Sequence, residues 1–340
     1  MTEPLLEIAH LTKRYREGGV FSRATPPALD DVNLTLDGEA PSILSIVGES
    51  GSGKTTLARV LLRLIEPTSG RVKFQGRDLF RGPDRWREPE LRLALQPIFQ
   101  NPSEAFSAHR TVDKYLFETA LNLGIARTRR EAAALIEDLV ASIGLEYDRV
   151  QGKYLNQLSG GELQRLSVAR AMLPRPKLVI ADEPVSMLDA SLKMKLVNLF
   201  LHLKNAFRVS FVYITHDLST AYYISDAVAI MFCGSIVEYG PSSAVLTAPA
   251  HPYTQLLMRS LPHIGSKWEQ TAGAPDLDSL KVPLTGCKFA PRCPRASSTC
   301  REAAPPAVDL GQGRTALCFH PETEFLSPSA PHPAPASLSL

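Results

Sequence analysis

No stretch of this sequence approaches the roughly 18 consecutive apolar residues of a membrane-spanning helix. The longest apolar run, AVAIMFC at 227–233, has the length of a strand. No apolar segment of signal-peptide type stands near Met1. Charge of one sign is missing as well: a net charge of +2 leaves no polybasic footprint, so nucleic acid is not an expected partner. Sustained heptads are absent, which excludes a long coiled coil. Cysteine is scarce and odd in number, at five. Cys233 stands alone at the end of the apolar run, while Cys287, Cys293, Cys300 and Cys318 crowd the C-terminal part. That distribution speaks against a disulfide framework and for a metal or cluster site in a reducing compartment. These absences predict a soluble, cytoplasmic chain that can still sit on a membrane partner. Its 340 residues suffice for one large or two medium domains with a real core.

What is present centres on residues 44–56, LSIVGESGSGKTT. Leu44, Ile46 and Val47 read as a buried parallel strand, and Leu57, Val60, Leu61 and Leu64 fall on one face of a following helix. Between them Gly48, Glu49, Ser50, Gly51, Ser52, Gly53, Lys54 and Thr55 match G-x-x-x-x-G-K-[ST] in the strand-to-helix context that motif requires. The glycines let the backbone curl around an anion with its N–H groups inward. The helix N-terminus at Thr55 and Thr56 adds about half a positive charge. Lys54 is placed to reach the β- and γ-phosphates, and the Thr55 hydroxyl to ligate Mg²⁺.

The rest of the chain alternates in α/β fashion. Residues 5–15 and 28–36 read as strands joined by a polar loop. Tyr15, beside that loop, is either an adenine-stacking ring or an ordinary surface aromatic. Residues 71–74 form a short strand, 81–90 a charged, proline-containing loop, and 93–99 a strand that ends at Gln100 before Asn101-Pro102 breaks it. Three helices follow, at 111–123, after the capping box Thr128–Glu131, and at 161–172. Then come a strand at 178–181, a helix at 191–207, a strand at 211–215 and a hairpin at 227–239 with a type II′ turn at Gly234-Ser235. Beyond Pro262 helical periodicity fades, and from 321 the low-complexity composition predicts disorder.

Two more constellations carry chemistry. Residues 178–183, LVIADE, are a strand ending in two carboxylates. Alone they are as readily surface acids; downstream of the P-loop they suit one shared site, with Asp182 holding Mg²⁺ through its water shell and Glu183 polarising an attacking water. Residues 158–162, LSGGE, open the third helix of the helical stretch. Ser159 and Glu162 make a capping box, which by itself accounts for them. Gly160 and Gly161 also bare their N–H groups at a helix N-terminus, a second phosphate receptor. Two anion cradles for one nucleotide point to a head-to-tail dimer, each nucleotide lying between one P-loop and the partner's Ser-Gly-Gly.

The order of these elements, continued by Ser186-Met187-Leu188-Asp189 and Ile214-Thr215-His216-Asp217, resembles the ATP-binding subunit of ABC transporters over residues 5–240. It looks most like the oligopeptide/dipeptide importer branch, on His251-Pro252-Tyr253-Thr254 with Leu256 and Leu257, on residues 98–102 (IFQNP), and on the cysteine-bearing tail. The resemblance implies an α/β P-loop NTPase cassette over residues 1–245, with an N-terminal antiparallel β-subdomain and a helical subdomain inserted at about 103–174. A small irregular Cys-containing extension would fill 246–320 and a disordered tail 321–340. It further implies that Tyr15 stacks on adenine and that Gln100 contacts Mg²⁺ and the attacking water. Asp189 would link the two sites of a dimer, and His216 would contact the γ-phosphate. The catalytic set is then Glu183, His216, Gln100 and Lys54. The implied partners are a second ATPase subunit, identical or paralogous, and two integral membrane permease subunits, with an extracytoplasmic solute-binding protein acting indirectly. The chain would sit at the cytoplasmic face of the membrane and hydrolyse ATP to drive peptide import.

This sequence departs from the broad family in Glu162, where Gln is usual, and in Met187, where Ala is usual; neither predicts a dead site. The four tail cysteines suit a [4Fe–4S] cluster, Zn²⁺, or plain reduced thiols. They lack the Cys-x-x-Cys chelate common in structural zinc sites, and the resemblance to cysteine-tailed peptide-importer ATPases favours the cluster. A soluble ABC-type ATPase acting on nucleic acid or ribosomes is the alternative, opposed by the single P-loop and the short stretch between Gln100 and Ser159.

Overall fold

The computed structural model describes residues 3–15, 26–260, 283 and 285–322. Residues 16–25 of the predicted polar loop, 261–282 and 284 at the start of the stretch where periodicity fades, and 323–340 of the tail expected to be disordered from 321 lie outside the described residues.

Strands β1 (Leu6–Lys13) and β2 (Leu29–Leu36) come first. In β2 the apolar Leu29, Val32, Leu34 and Leu36 are buried while most of their polar neighbours face outward, the signature of a sheet with one covered face. β3 (Ile43–Val47) is buried at all five positions, as a strand covered on both faces must be. It feeds the P-loop and α1 (Lys54–Leu61). Then follow β4 (Ser69–Phe74), β5 (Arg77–Asp78), α2 (Glu88–Ala94) and β6 (Leu95–Ile98). Helices α3 (Val112–Asn122), α4 (Arg129–Ser142) and α5 (Gly160–Met172) precede β7 (Leu178–Asp182), α6 (Ala190–Phe207) and β8 (Ser210–Thr215). The chain continues through α7 (Leu218–Ile224), β9 (Ala227–Phe232), β10 (Ser235–Pro241), α8 (Ser242–Thr247) and α9 (Pro252–Arg259). It closes with α10 (Ser298–Glu302), β11 (Ala307–Gly311) and β12 (Arg314–Leu317).

Two sheets result. A small antiparallel one has the order β2-β1-β4-β5; the large one runs β11-β12-β10-β9-β3-β8-β7-β6. Within the large sheet β9, β3, β8, β7 and β6 are mutually parallel, so their C-terminal ends share one edge. Alternate residues face opposite layers. Leu44, Ile46, Ile180, Val212 and Ile214 pack with α1 and the small sheet. Ile43, Val179, Ala181, Phe211 and Tyr213 pack with α3 to α6. Arg170 on α5 donates from its guanidinium to the Pro97 carbonyl at 2.8 Å, tying the helical layer to β6 just before Gln100.

The structure corrects three expectations. The charged run at 81–90 is not all loop, because α2 starts inside it with Pro89 in the first turn, where a missing N–H costs nothing. Burial of Leu91 holds this helix down, and β6 starts only at Leu95. The β9–β10 turn is centred on Cys233 (φ 44°) and Gly234 (φ 85°), not on Gly234-Ser235. Two successive positive φ values fit the I′ geometry that matches strand twist, and a cysteine tolerates the first. The C-terminal extension is also less irregular than expected: β11 and β12 pair antiparallel and β12 joins β10, extending the main sheet. Buried Glu238 on β10 anchors it, accepting the N–H groups of Ala250 (2.8 Å) and His251 (2.9 Å) and pairing with Arg314 (3.4 Å) on β12.

Candidate functional site

The shared edge of the parallel strands brings together residues far apart in sequence. Glu183, one residue beyond β7, takes a left-handed backbone (φ 45°), rare for a side-chain-bearing residue. Its N–H is fixed on the Ile214 carbonyl of β8 at 2.9 Å. Its carboxylate is held from both sides: Gln100, beyond β6, donates Nε2 to Oε2 at 3.2 Å, and His216 Nδ1, beyond β8, lies 3.1 Å from Oε1. Three neighbouring strand ends thus aim one carboxylate, with its two oxygens in different partners' reach.

The P-loop lies beside them, because β3 pairs β8. Lys54 is buried, and its ammonium donates to the carbonyls of Gly48 (2.8 Å) and Glu49 (2.7 Å). Burial holds its pKa below the ordinary lysine value, against the pull of Glu183, Asp182 and Glu49. Asp182 is pushed above the usual carboxylate range, first by burial and then by Glu183, while a hydrogen bond from Thr55 opposes this. Its Oδ1 is buried with no protein partner. A half-paired buried carboxylate beside a Thr hydroxyl suits Mg²⁺, which takes one or two protein oxygens and completes its shell with water and phosphate. Tyr15 is an exposed ring at the mouth, its hydroxyl 3.4 Å from Thr56 Oγ1. Gly51 and Gly53 take positive φ, and Ser50 to Thr56 wrap into the start of α1.

Ser159, Gly160, Gly161 and Glu162 are not brought to this P-loop: among the described residues no hydrogen bond or ion pair links them to it. They cap α5 instead. The Ser159 amide (2.9 Å) and hydroxyl (2.7 Å) both donate to Glu162 Oε2, which holds the Glu162 carboxyl below its usual range. Gly161 backs onto Leu192 of α6, where an added Cβ would come within 3.1 Å of the leucine side chain, whereas Gly160 faces open space. Asp189 caps α6 through Ser191 and Leu192. Of this second element Ser159 and Gly160 are exposed, while Gly161 is buried.

Cys287, Cys293, Cys300 and Cys318 line one narrow pocket with His251, Pro252, Phe289 and Phe319. Cys300 and Cys318 are buried and the other two half-buried. Burial pushes the thiols of Cys287, Cys293 and Cys318 up. Among the described residues no group of three or more His, Cys, Asp or Glu side chains is drawn tightly enough to hold one metal ion.

Three residues escape sequence reasoning. Tyr253 and Arg292 both meet Glu49 in the P-loop, and Lys288 braces the β9–β10 turn through the Cys233 carbonyl (2.7 Å) and Ser235 Oγ (2.8 Å). Only Tyr253 stands in a recognisable motif, and nothing in that motif points to the P-loop.

Known proteins with this pattern are numerous. A family model described as "ABC transporter" matches residues 29–186, and one described as "Oligopeptide/dipeptide transporter, C-terminal region" matches 237–300. A probable peptide ABC transporter ATP-binding protein of Sinorhizobium fredii is 37% identical over 327 residues, covering 94% of this chain and 90% of the relative. The dipeptide transport ATP-binding protein of Escherichia coli is 36% identical over 327 residues, covering 94% of this chain and 95% of the relative. Among solved structures, a dimeric ATP-binding cassette bound to ADP and Pi superposes with a TM-score of 0.57 at 24% identity, covering 70% of this chain and 98% of the other. The cbiO1 protein of Clostridium perfringens gives 0.61 at 23% identity, covering 72% and 90%. These two likenesses concern the fold.

Proposed function

The chain belongs to the ABC transporter family, and on that premise we propose that it is the ATP-hydrolysing subunit of an importer for dipeptides, oligopeptides or a related solute. The observation that carries this reading is Glu183 held between Gln100 and His216 at the lip of the P-loop. In it, residues Gly48 to Thr56 form the cradle whose free P-loop amides, with the Lys54 ammonium, bind the triphosphate, and Tyr15 stacks on the base. Thr55, Asp182 and Gln100 hold Mg²⁺, which neutralises phosphate charge when bound. Glu183 orients a water for in-line attack on the γ-phosphorus and accepts its proton; His216 keeps that carboxylate turned inward. Ser159, Gly160, Gly161 and Glu162 serve the nucleotide of a second subunit, identical or paralogous, and Asp189 links the two sites. The names of the relatives support the peptide class of solute.

Among the described residues no helix is long and apolar enough to cross a membrane. We propose that the chain works at the cytoplasmic face with two integral membrane permease subunits, a solute-binding protein feeding them from outside. Affinity capture of the full chain from detergent-solubilised membranes is expected to recover two polytopic membrane proteins. Recovery of ribosomes or DNA with no membrane protein would favour the rival, a soluble nucleic-acid- or ribosome-directed ATPase.

The four-cysteine pocket is proposed to hold a [4Fe–4S] cluster. Its support is four thiols lining one pocket walled by Phe289 and Phe319. Protein purified without oxygen is expected to be brown and to carry about four irons per chain with matching acid-labile sulfide. Material with neither iron nor zinc would leave plain thiols.

A further inference from the structure

Glu49 puts a carboxylate at the second position of the phosphate-binding loop, where a free carboxylate would repel the triphosphate and compete for Lys54. The structure shows where its charge goes. Arg292, in the short 3-10 turn Ala290–Arg292 of the C-terminal extension, points two guanidinium nitrogens at the two Glu49 oxygens, at 3.2 and 3.3 Å. The Arg292 side chain is only 10% exposed, so this fork is shielded from the screening that weakens surface pairs. The guanidinium also lies against the rings of Phe289 (5.6 Å) and Phe232 (6.0 Å), which fix its direction.

The rest of Glu49 is held too. Its N–H donates to the hydroxyl of buried Tyr253 on α9 at 3.1 Å, and its carbonyl accepts from Lys54. The far flank of the loop is fixed by the β9–β10 turn, where Gly234 N–H donates to the Ser52 carbonyl at 2.8 Å. Lys288 braces that turn and pairs with Asp30 at 2.8 Å. Val47, Phe232, Tyr253 and Phe289 share one apolar cluster, so the strand entering the P-loop and the extension pack as a unit.

We propose that Arg292 is a positioning residue for nucleotide binding, acting by drawing the Glu49 carboxylate away from the phosphates and from Lys54, and that the C-terminal extension thereby sets the affinity of the P-loop. The inference rests on the ATP site proposed above. An interaction that serves bound nucleotide and transition state alike moves KM and leaves kcat nearly constant.

The test is a titration of the full-length protein with a fluorescent ATP analogue and Mg²⁺, together with steady-state ATPase and thermal midpoints. Arg292→Ala is expected to weaken binding about ten-fold, equivalent to 1.4 kcal/mol, with kcat changed less than about two-fold. Arg292→Lys, which keeps the charge without the fork, should fall between. The decisive variant is Glu49→Ala with Arg292→Ala: removing the liberated carboxylate should restore most of the lost affinity, an outcome that loss of scaffolding does not produce. A double variant as weak as Arg292→Ala alone, or an Arg292→Ala affinity equal to wild type, overturns the proposal while leaving the ATP site standing. Failure of the wild-type chain to bind the analogue overturns both.

Discussion

Replacing Glu183 by Gln lowers ATP turnover by roughly 10²–10⁴-fold, the range for loss of a positioned general base, while ATP binding persists. Glutamine keeps the length and shape of the side chain, so the left-handed backbone at this position and its bond to Ile214 are undisturbed. The two flanking partners can also be retained, since an amide offers an oxygen to Gln100 and an N–H to His216 Nδ1, or the reverse. What is lost is the capacity to accept a proton from water. The expected result is a kcat effect with little change in nucleotide affinity, and accumulation of a closed, nucleotide-filled dimer visible by sedimentation or gel filtration in Mg²⁺ and ATP. Turnover close to wild type would remove Glu183 from the mechanism and, with it, the catalytic purpose of the Gln100 and His216 contacts. His216→Ala provides the companion measurement: it should lower turnover through misplacement of the Glu183 carboxylate, with the base itself still present.

The proposed catalytic half of this site is legible in the sequence because each part declares itself locally. A buried strand, a glycine-rich turn and Lys-Thr at a helix start occupy one short stretch, and Asp182-Glu183 end an apolar strand. The sheet does the rest, since parallel neighbours deliver Gln100, Glu183 and His216 to one edge. Elements whose cause is not local are harder to read. The Arg292–Glu49 fork joins residues 243 apart, and neither residue type in its own neighbourhood hints at the other. Strand β11 is short, contains a glycine and buries none of its five residues fully, so it carries no apolar pattern of its own; pairing with β12 makes it a strand. Helix α2 hides in a charged run because only Leu91 among its residues is buried, which leaves no apolar stripe to read. The β9–β10 turn sits one residue earlier than its glycine suggests, because Cys233 shares the positive φ that glycine alone would be expected to take.

Gly53→Ala should abolish measurable ATP binding, whereas Gly51→Ala should only weaken it, although both glycines take positive φ (105° and 78°). A left-handed conformation costs an alanine about 1–2 kcal/mol, so strain alone limits either variant to roughly a five- to thirty-fold effect. The two positions differ in what a methyl group would meet. At Gly51 nothing lies within 4 Å. At Gly53 the methyl carbon would sit 2.4 Å from the Ala28 carbonyl oxygen and 2.9 Å from Met231 Cε. The methionine can turn aside, but Ala28 cannot move cheaply. Its own N–H is bonded to Lys13 in β1 at 2.8 Å, and two residues on Asp30 N–H is bonded to Gly234 at 2.9 Å. Gly234 in turn holds the Ser52 carbonyl at 2.8 Å. The overlap must therefore be relieved by the P-loop, whose N–H groups then no longer converge on a phosphate. Titration with a fluorescent ATP analogue should show a loss beyond about 100-fold for Gly53→Ala and a far smaller one for Gly51→Ala. Equal losses would mean that backbone strain, and not the close approach of Ala28, just before β2, and of the β9–β10 turn, dictates the glycine at 53. The anchoring of the nucleotide loop on those two neighbours would then have to be abandoned.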